Sequence, residues 1–263
     1  TQHDGFVGPE GRGLRREARA TARLQHRGIV PIHFVGNEGD TWYFAMDYYR
    51  GGDLNHELAA LSDTDRIGAF LPRPDSRAYI AAVCERVAEV ADALQYAHEQ
   101  GVVHRDVKPH NLLFDRSGRL ILVDFGLARV ESLGSITQSG FLTGTPYYMS
   151  PEQARVSRSR VDHRTDIYSL GVVLYEMLVL RRPFSGDTSH EVLEKIQHRP
   201  YESLRHIDPR IPRDLQIICD VAMSKQPEER YPSAGEFAAD LRRFLDHQAI
   251  VARPPSVPQR IAR

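Results

Sequence analysis

Apolar residues recur at helical spacing from Ser76 to Gln100, at Ile80, Val83, Val87, Val90, Ala91 and Leu94, and Gly101 closes the run. One apolar stripe at that period predicts an amphipathic helix ended by glycine. Further helices are predicted at Asp162 to Val179, Ser189 to His198, Arg213 to Ala222 and Ser233 to His247. Arg12 to Leu24, rich in Arg, Ala and Glu, predicts another, with Gly11 and Gly13 loosening its start. Shorter apolar runs behave differently. Ile29 to Val35 and Thr41 to Asp47 predict strands joined by the turn-like Gly36-Asn37-Glu38-Gly39-Asp40. Leu112-Leu113-Phe114 and Leu120 to Val123, split by Asp115-Arg116-Ser117-Gly118, predict a small hairpin. Gly51-Gly52 marks the change from strand-like to helical character, and the prolines of Arg253 to Pro258 predict a linker that packs as neither helix nor strand.

Composition narrows the class. At 263 residues the chain suits one large domain or two modest ones. Hydrophobic residues at 41% and charged residues at 26% match a soluble globular protein. A net charge of -1 excludes bulk attraction to nucleic acid or anionic lipid as the basis of function. Cys84 and Cys219 sit in apolar-periodic segments without zinc or disulfide spacing, which predicts reduced core thiols and a cytoplasmic location. No signal-peptide pattern opens the sequence. The most apolar stretch, Ile167 to Leu180, carries Glu176 and is too short to span a bilayer, so it predicts a buried helix.

The candidate chemistry lies on either side of the small hairpin. His104-Arg105-Asp106-Val107-Lys108-Pro109-His110-Asn111 precedes it and Asp124-Phe125-Gly126 follows it. Phosphoryl transfer needs a carboxylate to accept a hydroxyl proton and oxygen ligands to hold Mg²⁺ against a triphosphate. Asp106, Asn111 and Asp124 can supply these from two loops that the hairpin brings together.

These two motifs, in this order, closely resemble the protein kinase family, and the resemblance runs from about Arg12 to the last helix. It implies an α+β, bilobal protein-kinase-like fold with an incomplete small β lobe and a mainly helical large lobe. It divides the chain into 1–50 (remnant of the small lobe), 51–248 (large lobe) and 249–263 (Pro-rich linker or tail). It implies ATP and Mg²⁺ as cofactors, Asp106 as catalytic base, Lys108 on the transferring phosphate, and Asn111 and Asp124 as Mg²⁺ ligands. Lysine two residues after the base resembles the Ser/Thr branch, so protein Ser/Thr hydroxyls are the implied substrates. His104 and Phe125 read as packing residues.

Other positions follow the same resemblance. Met46-Asp47-Tyr48-Tyr49 matches the stretch that receives adenine, with Met46 at the back of the pocket. Asp53 is implied at the ribose, beside a plain alternative as a helix N-cap before Leu54. Gly144-Thr145 to Ser150-Pro151-Glu152 matches the end of an activation segment, with Thr145 near Asp106 and Glu152 paired to Arg230. Arg105 before the base implies switching by phosphate, and Thr137 and Ser139 stand at the implied sites; solvated loop residues are the bland alternative. Asp166 has a helix-start role to which the resemblance adds backbone contacts anchoring the catalytic loop.

Upstream the match fades. Glu17 fits the helix glutamate that pairs with a strand lysine, yet lysine occurs only at Lys108, Lys195 and Lys225. Gly5, Gly8, Gly11 and Gly13 form no strand-loop-strand unit, and the glycine-rich loop has no counterpart. The expectation is therefore an N-terminally shortened kinase of the bacterial eukaryotic-like group, weak as this chain, and cytoplasmic or the cytoplasmic part of a membrane-anchored protein. A pseudokinase or scaffolding module is the alternative. A small-molecule phosphotransferase ranks below both, because such relatives show His-Gly-Asp and no Ser-Pro-Glu element. The substrate, the signal and the oligomeric state are not legible.

Overall fold

The computed structural model describes residues 21–38, 41–63, 68–74, 76–125, 146–155 and 161–253. Glu17, Thr137, Ser139, Thr145 and most of the helix expected over Arg12 to Leu24 lie outside them.

Two antiparallel hairpins precede most of the helices. β1 (Ile32–Glu38) pairs with β2 (Thr41–Met46), Glu38 facing Thr41 and Ile32 facing Met46. The first strand begins three residues later than its apolar run suggests. Ile29 instead bridges Leu122 in parallel, Val30 N–H donates to Leu122 O at 3.0 Å, and Leu122 N–H donates to Gly28 O at 2.8 Å. Pro31, which has no N–H, separates the two pairings. At the other end the ladder continues through Gly36, Asn37 and Glu38, which composition assigned to the turn.

The second hairpin, β3 (Leu112–Phe114) with β4 (Leu120–Leu122), forms where expected. Its turn is organised by Asp115, whose Oδ1 accepts from Ser117 N–H at 2.8 Å and Arg119 N–H at 3.0 Å. Burial alone would raise the Asp115 pKa, but the donors of Ser117 and Arg119 outweigh it and hold the carboxyl at about 2.

Between the hairpins Gly51 and Gly52 let the chain cross β3. A Cβ on Gly51 would lie 2.4 Å from Phe114 O, and Gly52 has φ +76° while its carbonyl accepts from Phe114 N–H. Helix α1 (Leu54–Ser62) follows, with Asp53 as N-cap accepting from His56 N–H at 2.8 Å.

Helix α2 (Arg77–Glu99) is capped by Ser76 and stopped by Gly101 at φ +75°. It packs against α4 (Arg164–Val179) and α8 (Ala234–Leu245), and the Tyr79 hydroxyl donates to Met177 O. Every residue of α4 from Thr165 to Leu178 is buried, which accounts for its all-round apolar character. Between α2 and α4 lies the short α3 (Pro151–Ala154). Helices α5 (Ser189–His198), α6 (Leu204–Ile207) and α7 (Arg213–Ala222) complete the body. No helix among the described residues is long and apolar enough to cross a membrane.

Asp240 on α8 holds the chain beyond that helix. It is 0% exposed and accepts from Val251 N–H and Ala252 N–H, both at 2.8 Å, and from Arg243 at 2.8 Å. The packed structure therefore continues through Ala252, up to the residue before the proline-rich run from Arg253. Burial would raise the Asp240 pKa, but the two backbone donors and Arg243 bring it below the ordinary value. Its contribution to stability is thus present above the normal carboxylate pKa and lost as acid protonates it. Asp240→Ala is expected to cost on the order of 1–3 kcal/mol, because buried donors lose their acceptor. Hydrogen exchange at Val251 and Ala252 should accelerate; unchanged protection at both amides would refute the clasp.

Candidate active site

The segment 104–111 is held from below by one buried carboxylate. Asp166, 0% exposed in the first turn of α4, accepts from Arg105 N–H through Oδ1 at 2.7 Å. Its Oδ2 accepts from His104 N–H and pairs with His98 Nε2, both at 2.8 Å. The helix N-cap is His163, so Asp166 spends its oxygens on the loop above the helix. Sequence periodicity placed His98 only as a position near the end of α2; nothing local marks it as a partner of a residue 68 positions away.

His104 is a second fixed point. Its Nε2 lies 2.9 Å from Val123 O, Asp106 N–H donates to its Nδ1 at 3.2 Å, and its ring meets Phe125 at 4.6 Å. Burial lowers the His104 pKa despite the nearby charges of Asp166, Asp106 and Asp124. A neutral imidazole, donating from Nε2 and accepting at Nδ1, satisfies both contacts.

These anchors present Asp106, Lys108 and Asn111 together. Lys108 Nζ is 2.7 Å from Asp106 Oδ2. Asn111 Nδ2 donates to Asp106 O at 2.8 Å and to Asp106 Oδ2 at 3.1 Å. The side chains of Asp106 and Lys108 are 41% and 33% exposed, so solvent and ligand can reach both. Across the hairpin, Val123 N–H donates to Asn111 O at 3.0 Å, which sets the exposed Asp124 close by.

Two backbone positions here occupy the left-handed region, Arg105 at φ 64° and Asp124 at φ 57°. Such conformations cost on the order of 1–3 kcal/mol each and persist only where surroundings enforce them. At Arg105 the enforcement is visible. Its N–H is bound by Asp166, and its carbonyl accepts from Gln153 Nε2 at 2.9 Å. Gln153 also closes a capping box with Ser150, a pattern legible in Ser150-Pro151-Glu152-Gln153, but its reach to Arg105 is not.

The oxygen donors suit a hard cation. Asn111 spends its amide nitrogen on Asp106, so its side-chain oxygen and the exposed Asp124 carboxylate are the donors on offer, and Mg²⁺ prefers such oxygen ligands with retained waters. At the end of β2 Met46 is 44% exposed, and in the segment that follows Tyr48 is 86% exposed. Asp47 pairs with His33 at 2.8 Å, and the partly buried Tyr49 has its pKa raised by burial first and by the charges of Asp47 and Asp115. Asp53 is the N-cap of α1 and also lies 2.7 Å from His56 Nδ1.

Glu152 and Arg230 meet as a bidentate pair, both contacts at 2.7 Å, with 7% and 0% of their side chains exposed. The arginine also donates to Ser224 O and Arg164 O, both at 2.9 Å. The pair ties the start of α3 to the turn Pro227–Glu229.

A family model described as protein kinase domain matches residues 7–241. The chain is 33% identical over 235 residues to the serine/threonine-protein kinase PrkC of Bacillus subtilis, covering 89% of this chain and 34% of that protein. It is 36% identical over 254 residues to the serine/threonine-protein kinase PknB of Mycobacterium tuberculosis, covering 94% of this chain and 37% of the relative. It is also 36% identical over 240 residues to the tyrosine-protein kinase MasK of Myxococcus xanthus, covering 88% of this chain and 35% of that one. The chain thus spans 34–37% of the length of these relatives.

Proposed function

Because the chain belongs to the protein kinase family, we propose that it carries the transfer of the ATP γ-phosphoryl group to Ser/Thr hydroxyls of protein substrates. The observation that carries this reading is the cluster of Asp106, Lys108 and Asn111, joined by hydrogen bonds of 2.7–3.1 Å, with Asp124 across the hairpin. The substrate oxygen attacks the γ-phosphorus and its proton passes to the Asp106 carboxylate. The bond from the γ-phosphorus to the bridging oxygen breaks, and ADP leaves. Lys108 stands beside Asp106, where its charge can meet the transferring phosphoryl oxygens. Mg²⁺, when bound, neutralises charge on the triphosphate, and Asp124 with the carbonyl oxygen of Asn111 would hold it. Met46, Asp47 and Tyr49 would line the adenine end, Asp53 the ribose, and Glu17 the phosphate end.

In the same reading residues 1–50 belong to the small lobe, 51–248 to the large lobe and 249–263 to the exit from it. Arg105 would receive phosphate carried by Thr137 or Ser139, and Thr145 would help to seat the substrate hydroxyl. Glu152 with Arg230, and Asp166, would keep the platform in place. The domain would work on the cytoplasmic side, by itself or as part of a longer membrane-anchored protein.

Serine and threonine are favoured over tyrosine by Lys108 two residues after the base. Phosphoamino-acid analysis of labelled protein substrate tests the choice, and phosphotyrosine as the main product would reverse it. Asp124→Ala should remove Mg²⁺-dependent nucleotide binding, because the exposed carboxylate is the charged ligand of the set. Calorimetry that returns equal Mg·ATP affinity in both proteins would count decisively against the assignment.

A further inference from the structure

Arg182, a charged side chain that the transfer chemistry leaves unused, lies against the segment leading to the substrate platform. Its guanidinium sits 4.3 Å above the ring of Tyr147 and 6.0 Å from that of Tyr148. Its Nε donates to Glu176 Oε1 at 3.2 Å, and the Tyr148 hydroxyl donates to Glu176 Oε2 at 2.5 Å. Glu176 is 8% exposed, so both oxygens of a buried carboxylate are already engaged within the chain. The Arg182 side chain keeps 35% of its surface exposed, and Arg181 beside it is exposed as well.

The turn carrying these tyrosines is fixed next to the catalytic loop. Ser169 Oγ donates to Tyr148 O at 2.7 Å, Ser150 Oγ lies 2.7 Å from Thr165 Oγ1, and Gln153 reaches Arg105 O at 2.9 Å. Because Gln153 binds the carbonyl of Arg105, the residue before Asp106, a polypeptide delivering a hydroxyl to Asp106 would on the kinase reading cross near Tyr147 and the guanidinium over it. Arg182 answers the buried Glu176 through Nε, while the rest of its guanidinium and the neighbouring Arg181 stay accessible. We infer that Arg182 is a specificity-determining residue of the protein-substrate site, favouring an acidic side chain and disfavouring a basic one in the segment that crosses Tyr147. This rests on the reading of the chain as a protein kinase.

The physics is that of a half-exposed charge contact. An incoming carboxylate gains a partner that the aromatic face of Tyr147 already orients, whereas an incoming ammonium meets two like charges and a buried carboxylate already paired with Arg182. The test uses the full chain and fluorescein-labelled serine peptides in which Glu, or in a matched series Arg, is scanned through the positions flanking the serine. Binding is read by fluorescence anisotropy, so it does not depend on turnover. At one flanking position the native protein should bind the Glu peptide about threefold to fivefold more tightly than the Arg peptide, the range of a partly screened ion pair. Arg182→Lys should keep the direction of the preference, and Arg182→Glu should reverse it. Should Arg182→Glu fail to fold beside Glu176, Arg182→Gln decides, and its preference should collapse toward unity. An unchanged preference in Arg182→Glu or Arg182→Gln, no charge preference at any position, or no peptide binding at all would overturn the assignment. Phosphate incorporation is measured separately. Charge-selective binding without transfer to any peptide would sink the kinase reading while leaving the recognition surface standing.

Discussion

Asp106→Asn is expected to lower phosphoryl transfer by about 10²–10⁴-fold, the usual worth of a positioned general base. The replacement keeps the shape of the side chain and removes its capacity to take up the hydroxyl proton. It should leave the loop in place, because the loop is anchored by other atoms. The Asn111 amide still reaches the backbone oxygen of Asp106 at 2.8 Å, and Asp106 N–H still donates to His104 Nδ1. Lys108 loses a charged partner at 2.7 Å, but both groups are substantially exposed, so the loss is small in stability. The informative result is therefore a collapse of kcat with Mg·ATP affinity and melting temperature held near their native values. Native rates in the variant would remove Asp106 from the role of base.

Arg230→Ala is expected to cost about 3–5 kcal/mol of stability, because it strands the Glu152 carboxylate in a site with 7% of its side chain exposed. The loss is compounded by Ser224 O and Arg164 O, which give up charged donors, and by Tyr168, whose ring lies 5.0 Å from the guanidinium carbon. For a domain of this size the midpoint of thermal unfolding should fall by roughly 6–20 °C. The double replacement Glu152→Leu with Arg230→Met should be less damaging than Arg230→Ala, since it buries no unpaired charge. Chemical denaturation of the three proteins tests the ordering. A double variant worse than the single one would mean that shape, and not charge compensation, dominates there.

Glu152 joined to Arg230 also separates two kinds of legibility. The pairing could be inferred from resemblance, since both residues stand at recognisable motif positions. The oxygens accepting the other donors of Arg230 are backbone groups, and backbone acceptors carry no mark in sequence. Gln153 shows the division within one residue. Its capping box with Ser150 is spelled out locally, while its bond to Arg105 O crosses 48 positions. His98, Arg182 and the Tyr148 hydroxyl went unread for the same reason: their partners are distant in sequence, and no periodicity reports such a contact.

What the sequence determined by itself was everything with a local cause. Helices α2, α5, α7 and α8 follow from apolar spacing, with capping side chains at the starts of α2, α5 and α8, and the second hairpin follows from two short apolar runs about an Asp-Arg-Ser-Gly turn. Asp106, Lys108, Asn111 and Asp124 stood out as candidates because they lie in two motifs flanking one predicted hairpin, and their roles came from the resemblance of those motifs to the protein kinase family. Only the tertiary structure decided the rest. The run from Ile29 to Val35 divides between two sheets, because its hydrophobicity reports burial but not the partner strand, and Pro31 interrupts the ladder. The left-handed backbone at Arg105 is imposed by Asp166 and Gln153 against local preference. Asp240, within a helix read only from its apolar spacing, became the acceptor for backbone donors of Val251 and Ala252, whereas resemblance alone implied the backbone contacts of Asp166. A buried carboxylate takes whatever donors the packed chain brings to it, and which ones those are is settled only when the chain is folded.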